Sequence, residues 1–235
     1  MQHIWNTKHD EQEESHWLSV SDLMAGLMMV FMFIAIALML NAFKERDKIK
    51  QVAVAYQENQ VAIYDSLMSE FKSDLERWNA EIDEDTLTFT FKSPDVLFES
   101  GSIKLSPAYQ DLLQEFFPRY MAVLMPFKGS INEVRLEGHT SSNWNLDTPD
   151  DEAYFKNMRL SQGRTRSVLA YVYHLPSSRE NIEWIKRHIA AVGLSSSRII
   201  LDNNGVEDKV KSRRVSFRVI TNSDIQIKRI LQEAE

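Results

Sequence analysis

Cysteine is absent from the 235-residue chain. That excludes disulfides, cysteine-ligated zinc, thiol catalysis and a lipidated cysteine anchor, and it leaves the compartment open. Glycine is scarce, with seven residues that never form the glycine-rich phosphate-binding patterns. Neither HExxH nor an aspartate-rich calcium loop occurs, and the six histidines, His3, His9, His16, His139, His174 and His188, lack ligand spacing. A surplus of positive charge is also missing. The 27 Lys and Arg stand against 34 Asp and Glu, a net charge of -7, whereas binding to nucleic acid draws on concentrated basic residues, so no direct nucleic-acid partner is expected. These gaps predict a non-enzymatic chain with no catalytic residue, no metal and no resident cofactor.

What the chain does have is an uninterrupted apolar run from Leu23 to Leu40, free of charge, amide and proline. At ~1.5 Å per residue, about 20 residues cross a ~30 Å hydrocarbon core, so residues 17–43 are predicted to form one transmembrane helix. A cleaved signal peptide does not fit, because the preceding flank, Asp10 to Glu14, is acidic where a signal needs basic residues. Trp17 suits an interfacial anchor. The methionines Met24, Met28, Met29, Met32 and Met39 read as flexible packing. Asp22 stands at the mouth of the run, and a carboxylate at membrane depth costs roughly 3 kcal/mol even on insertion scales. Two explanations are open at this point: an N-cap satisfying the orphan N–H groups of a helix start, or a carrier that takes up and releases an ion. Only Lys8 precedes the run, whereas Lys44, Arg46, Lys48 and Lys50 follow it, so a positive-inside count places the C-terminal side in the cytoplasm.

Beyond the run the pattern divides the remainder. Residues 44–85 lack Gly and Pro, and Tyr64, Leu67, Met68, Phe71, Leu75, Trp78 and Ile82 recur at helical spacing, predicting a helical stalk or linker. Its apolar face packs on the following domain or forms a dimeric coiled coil. From residue 86 the period changes to two. Leu87, Phe89 and Phe91 mark a strand, followed by a helix from Pro107 to Met125, a strand from Ile131 to Glu137, a helix from Ala153 to His174, another from Asn181 to Val192, a short strand from Arg198 to Leu201 and a last strand from Arg214 to Ile220. Two βαβ crossovers and a closing antiparallel strand give an α+β fold: an N-terminal transmembrane helix, a stalk and a C-terminal α/β sandwich over residues 86–221. Residues 1–16 form the leading segment and residues 222–235 a tail, read as a short helix.

The constellation best suited to chemistry is Gly138-His139-Thr140, then Asn157-x-x-Leu160-Ser161-x-x-Arg164, then Gly193-Leu194 and Ser212-Arg213-Arg214-Val215. Asn157 and Arg164 are about two helical turns apart and share a helix face. An arginine fork there grips a carboxylate through two parallel hydrogen bonds, or pairs with a surface acid such as Asp150. With Phe98-x-x-Gly101-Ser102, these pieces resemble the OmpA-like peptidoglycan-binding domain and run in its order over residues 86–221. The resemblance implies that Arg164 and Asn157 line a pocket for the diaminopimelate of a stem peptide, with Leu160 beside it and Thr140 and Ser141 at its edge. The chain departs from the family at Ser141, where an Asp normally meets the diaminopimelate amine. Its loop from Thr140 to Asn157 is also longer, and Asp147, Asp150 and Asp151 in that loop are candidates to replace the missing acid.

A helix opening on Asp, a stalk and such a domain together resemble the B subunits of flagellar stators, MotB. The stretch from Trp17 to Phe33 is similar to their helix and more similar still to that of the B subunits of the Zorya anti-phage defence system. The resemblance implies an inner-membrane complex of 5:2 stoichiometry, in which a pentamer of a MotA/ZorA-like A subunit surrounds the helices of a homodimer. In such complexes each Asp, here Asp22, alternately binds and releases an ion that turns the A ring against a wall-fixed B subunit. Protons fit better than sodium because the span is otherwise apolar, although Ser19 and Ser21 offer hydroxyls to sodium. A wall-binding domain must be periplasmic, so the resemblance overrides the charge count and sets the N-terminus in the cytoplasm. A motility stator and a passive wall anchor remain the competing readings.

Overall fold

The computed structural model describes residues 7–92, 97–99, 101–145 and 147–222; the helix expected in the tail from Ser223 lies outside them. The chain divides into two units, Met1–Val52 and Ala53–Glu235.

Helix α1 runs from Thr7 to Phe71, and its segment Val20–Gln51 is long and apolar enough to cross a membrane. The apolar side chains of that segment are exposed on every side, Leu23 by 71%, Met28 by 74% and Phe33 by 64%. A helix apolar all round has no face suited to water, and hydrocarbon is the solvent that matches it. No side-chain placement is described before residue 20, so the interfacial role expected of Trp17 lies outside the description.

The second unit is α+β. Its strands are β1 (Ala80–Asp83), β2 (Thr88–Phe91), β3 (Ile131–His139), β4 (Ile189–Ser195) and β5 (Arg214–Thr221). They form one sheet in the order β1-β2-β5-β3-β4, antiparallel except for the parallel β3/β4 pair. Helices α2 (Pro107–Leu124) and α3 (Asp150–Tyr173) supply the two expected crossovers, from β2 to β3 and from β3 to β4. Strand β5 does not close an edge; it lies between β2 and β3 and is antiparallel to both. Two further short helices, α4 (Ile182–His188) and α5 (Lys209–Ser212), precede β4 and β5.

Period-two alternation gives the sheet one apolar face. Phe89 pairs with Phe217 and Phe217 with Leu136, so these side chains stack on the same side. Against them lie Phe71 of α1 and Phe116 and Tyr120 of α2, all fully buried. Phe116 is the hub, with ring centroids 4.7 Å from Phe89, 5.3 Å from Phe71 and 5.1 Å from Phe217. Arg119 of α2 clamps the end of α1, with Nε 2.6 Å from Glu70 and its guanidinium 4.9 Å over the Phe71 ring.

Three expectations are decided here. The helical spacing through Trp78 and Ile82 does not extend α1, which ends at Phe71. Asn79 turns the chain in a left-handed conformation (φ 47°), one that asparagine tolerates better than most residues, and Ile82 becomes part of β1. Second, of the two readings of the apolar face in 44–85, packing on the domain is the one seen: Ile63, Leu67 and Phe71 are fully buried in the same core as the sheet. Third, Asn181–Val192 is not one helix. It is helix only to His188, after which the chain pairs with β3, while the strand expected at Arg198–Leu201 reduces to an isolated bridge between Leu201 and Glu207.

Candidate functional site

In the first unit, Asp22 lies about four turns inside α1, far from its start at Thr7. At that depth the neighbouring backbone N–H groups are already bonded within the helix, so there are no orphan donors to cap. The capping explanation for Asp22 is therefore lost. What remains is an exposed carboxylate immediately before an apolar run.

In the second unit the residues expected to form a pocket are built onto the end of the sheet. Helix α3 is drawn close to the strands by two glycines. A Cβ on Gly193 would lie 2.3 Å from the backbone nitrogen of Gln162, and one on Gly138 2.9 Å from the carbonyl oxygen of Ser161. The contact is stitched by Ser195, whose N–H donates to Ser161 Oγ at 3.1 Å and whose hydroxyl donates to the Tyr154 carbonyl at 2.7 Å. Thr140 N–H in turn donates to the Ser195 carbonyl. The end of β3 is thereby fixed against the helix face that carries Asn157, Leu160 and Arg164.

These residues meet. A cavity of about 180 Å³ is lined by Thr140, Ser141, Asn157, Leu160 and Arg164 together with Gly101, Asn143, Trp144 and Arg213. Asn157 is buried, and its amide nitrogen donates toward the carbonyls of Ser141, Ser142 and Asn143 at 3.1, 3.4 and 3.2 Å. It organises the loop that forms the cavity wall. Arg164 is buried over the Phe98 ring at 4.7 Å, and its Nε donates to the Ser102 carbonyl at 3.0 Å. Phe98 and Ser102 thus form the seat on which the guanidinium rests. The Thr140 hydroxyl is buried in the cavity wall with no hydrogen-bond partner among the described residues.

None of the candidate acids Asp147, Asp150 and Asp151 lines this cavity, and among the described residues its lining includes no carboxylate. Glu207 is the acid that reaches the loop, and it is spent on it: its carboxylate accepts from the N–H of Ser142 at 3.0 Å and from the same residue's hydroxyl. Arg213 also enters the lining; the Ser-Arg-Arg-Val motif marks it in the sequence without placing it at the pocket. Trp144 carried no signal beyond its place in the long loop.

His139 is not in the cavity. Alternation along β3 turns it to the other face, where its Nε2 lies 3.5 Å from Glu137 Oε2, and Arg198 lies 3.5 Å from the same oxygen. Both side chains are buried. Burial pushes the His139 pKa below its usual value, with Arg214 and Arg198 adding to the effect and Glu137 opposing it. Burial alone would raise the Glu137 carboxyl, but His139, Arg198 and Arg218 outweigh it and hold the group below its usual range.

An apolar helix of membrane-crossing length, followed by an α+β domain with an arginine-lined cavity, defines the class: an α+β domain preceded by a membrane-length helix. No family model matches the chain. The chain is 54% identical over 95% of its length, and 95% of the relative's, to the Zorya protein ZorB of Escherichia coli (strain Crooks). It belongs to the ZorB family. Among solved structures it is similar to a putative MotB-like protein from Desulfovibrio vulgaris, with 20% identity, 73% of this chain and 94% of that chain covered, and a TM-score of 0.48. It is also similar to the cell wall anchor of the type VI secretion system from Pseudomonas aeruginosa, with 21% identity, coverage of 66% and 97%, and a TM-score of 0.46.

Proposed function

We propose that the chain is the B subunit of an ion-driven rotary complex of MotAB type, anchored to peptidoglycan and serving anti-phage defence. It acts without enzymatic chemistry or a resident cofactor. Its partners are a pentamer of a MotA/ZorA-like A subunit, a second copy of itself in a 5:2 assembly, and the peptidoglycan. In this reading α1 crosses the inner membrane once, with residues 1–16 cytoplasmic and the α+β domain periplasmic.

The observation that carries the reading is the position of Asp22 inside α1, where it has no cap to make. Protonation lets a carboxyl pass an apolar sector that the carboxylate enters only at a cost of roughly 3 kcal/mol. Release of the proton to a polar group of the A subunit completes a cycle. One charge falling through ~100 mV yields about 2.3 kcal/mol, so a few protons per step suffice to move the ring. The wall-bound domain supplies the reaction force: Arg164, in its seat over Phe98, and Arg213 offer guanidinium groups to a stem-peptide carboxylate.

Asp22→Asn tests the assignment, because Asn keeps the shape and the helix but exchanges no proton. Vesicles carrying the A subunit with the native chain are expected to take up protons, and those with the variant to lose uptake while peptidoglycan binding is kept. Uptake at the native rate in the variant would overturn the carrier role.

A further inference from the structure

A second cavity of about 300 Å³ adjoins the first and shares Gly101, Trp144 and Leu160 with it; its remaining walls are Ile103, Lys156 and Arg159. Helical spacing explains the adjacency. Leu160 stands three residues after Asn157 and four after Lys156, so it forms the ridge between a face turned to the first cavity and a face turned to the second. The long loop after β3 supplies the other shared wall, Trp144. Trp144 is 39% exposed and Ile103 49%, so the second cavity presents apolar surface to water.

The rim of that cavity is cationic. Lys156 shares its charge with Glu152 at 2.8 Å, whereas Arg159 is exposed and makes no ion pair among the described residues. An apolar floor beside an uncompensated guanidinium suits an aliphatic chain ending in a carboxylate. We propose that the second cavity is a subsite for the neighbouring residue of the same stem peptide, an isoglutamate whose α-carboxylate meets Arg159 while its methylenes lie on Trp144 and Ile103. This rests on the peptidoglycan reading of the first cavity. The chain would then discriminate between walls with a free and an amidated isoglutamate, a property set by Arg159.

The test is isothermal titration of the full chain in detergent with a muramyl tripeptide carrying free isoglutamate and diaminopimelate carboxylates, and with the same compound amidated on isoglutamate. Amidation is expected to weaken binding to the native chain about tenfold, the size of one charge-assisted hydrogen bond. Arg159→Gln is expected to lose the same factor on the acid and to bind acid and amide alike, and Trp144→Ala to weaken both. Because Arg159 is exposed, its variant keeps the fold. Equal binding of acid and amide by the native chain, with Arg159→Gln silent and Arg164→Ala abolishing binding, would overturn the subsite and spare the first cavity. Binding unaffected by Arg164→Ala would overturn the peptidoglycan reading, and the subsite with it.

Discussion

His139 shows how one residue type in one motif takes a role its neighbours do not share. It sits between Gly138, which lets α3 approach, and Thr140, which lines the cavity, yet its imidazole lies on the opposite face beside Glu137, Arg198 and Arg214. Its folded pKa is depressed below the ordinary 6.5. Below about that pH the unfolded chain takes up a proton that the folded chain resists, so the unfolded state binds more protons and stability declines as the pH is lowered. Glu137, also held down, adds a loss only below its ordinary 4.5. Denaturation midpoints measured from pH 7.5 down to 5 are expected to decline in the native chain and to stay flatter in His139→Gln. An identical slope in both would show that the histidine carries no proton linkage.

At the scale of elements, the end of α1 is part of the domain's core. Phe71 touches Phe89, Phe116 and Trp78 at centroid distances of 5.3, 5.3 and 5.9 Å. Removing it leaves a large aromatic hole, and Phe71→Ala is expected to cost about 3–5 kcal/mol in chemical denaturation. A fragment cut at residue 86, where the period of the sequence changes, discards Phe71, Trp78 and all of β1, and it exposes Phe89 and Phe116. It is expected to melt without cooperativity, whereas a fragment from Ala53 is expected to melt in a single transition followed by circular dichroism. Cooperative melting of the shorter fragment would assign α1 to a dispensable stalk. Strand β4 carries the complementary lesson. Ile189-Ala-Ala-Val continues the spacing of a preceding helix, and alanine favours helices. The stretch becomes a strand because β3 offers an open edge at its register, from Val134↔Ile189 to Gly138↔Gly193.

For the whole molecule, the charge flanking the apolar run and the chemistry of the domain point to opposite sides of the membrane. Lys44, Arg46, Lys48 and Lys50 ask for the cytoplasm. A domain that grips the wall needs the periplasm. Alkaline phosphatase fused after Glu235 is expected to be active, and a fluorescent protein that matures only in the cytoplasm to stay dark there. The reverse pattern would set the domain inside the cell and remove its access to peptidoglycan.

Local periodicity and composition make the apolar helix around Leu23 to Leu40, helices α2 and α3, and strands β2, β3 and β5 legible in the chain, because each is set by side chains a few residues apart on one helix or strand. The same spacing puts Asn157 and Arg164 on one helix face, whereas grouping Thr140, Ser141 and Leu160 with them comes from the resemblance to the OmpA-like domain. Tertiary packing settled the rest. It fixed the end of α1 at Phe71, the strands β1 and β4, the commitment of Asn157 to loop carbonyls, the entry of Arg213 and Trp144 into the site, and the loss of a cap at Asp22. Each of these depends on partners distant in sequence, or on where a helix begins, and the burial and hydrogen bonds that select them exist only once the chain has folded.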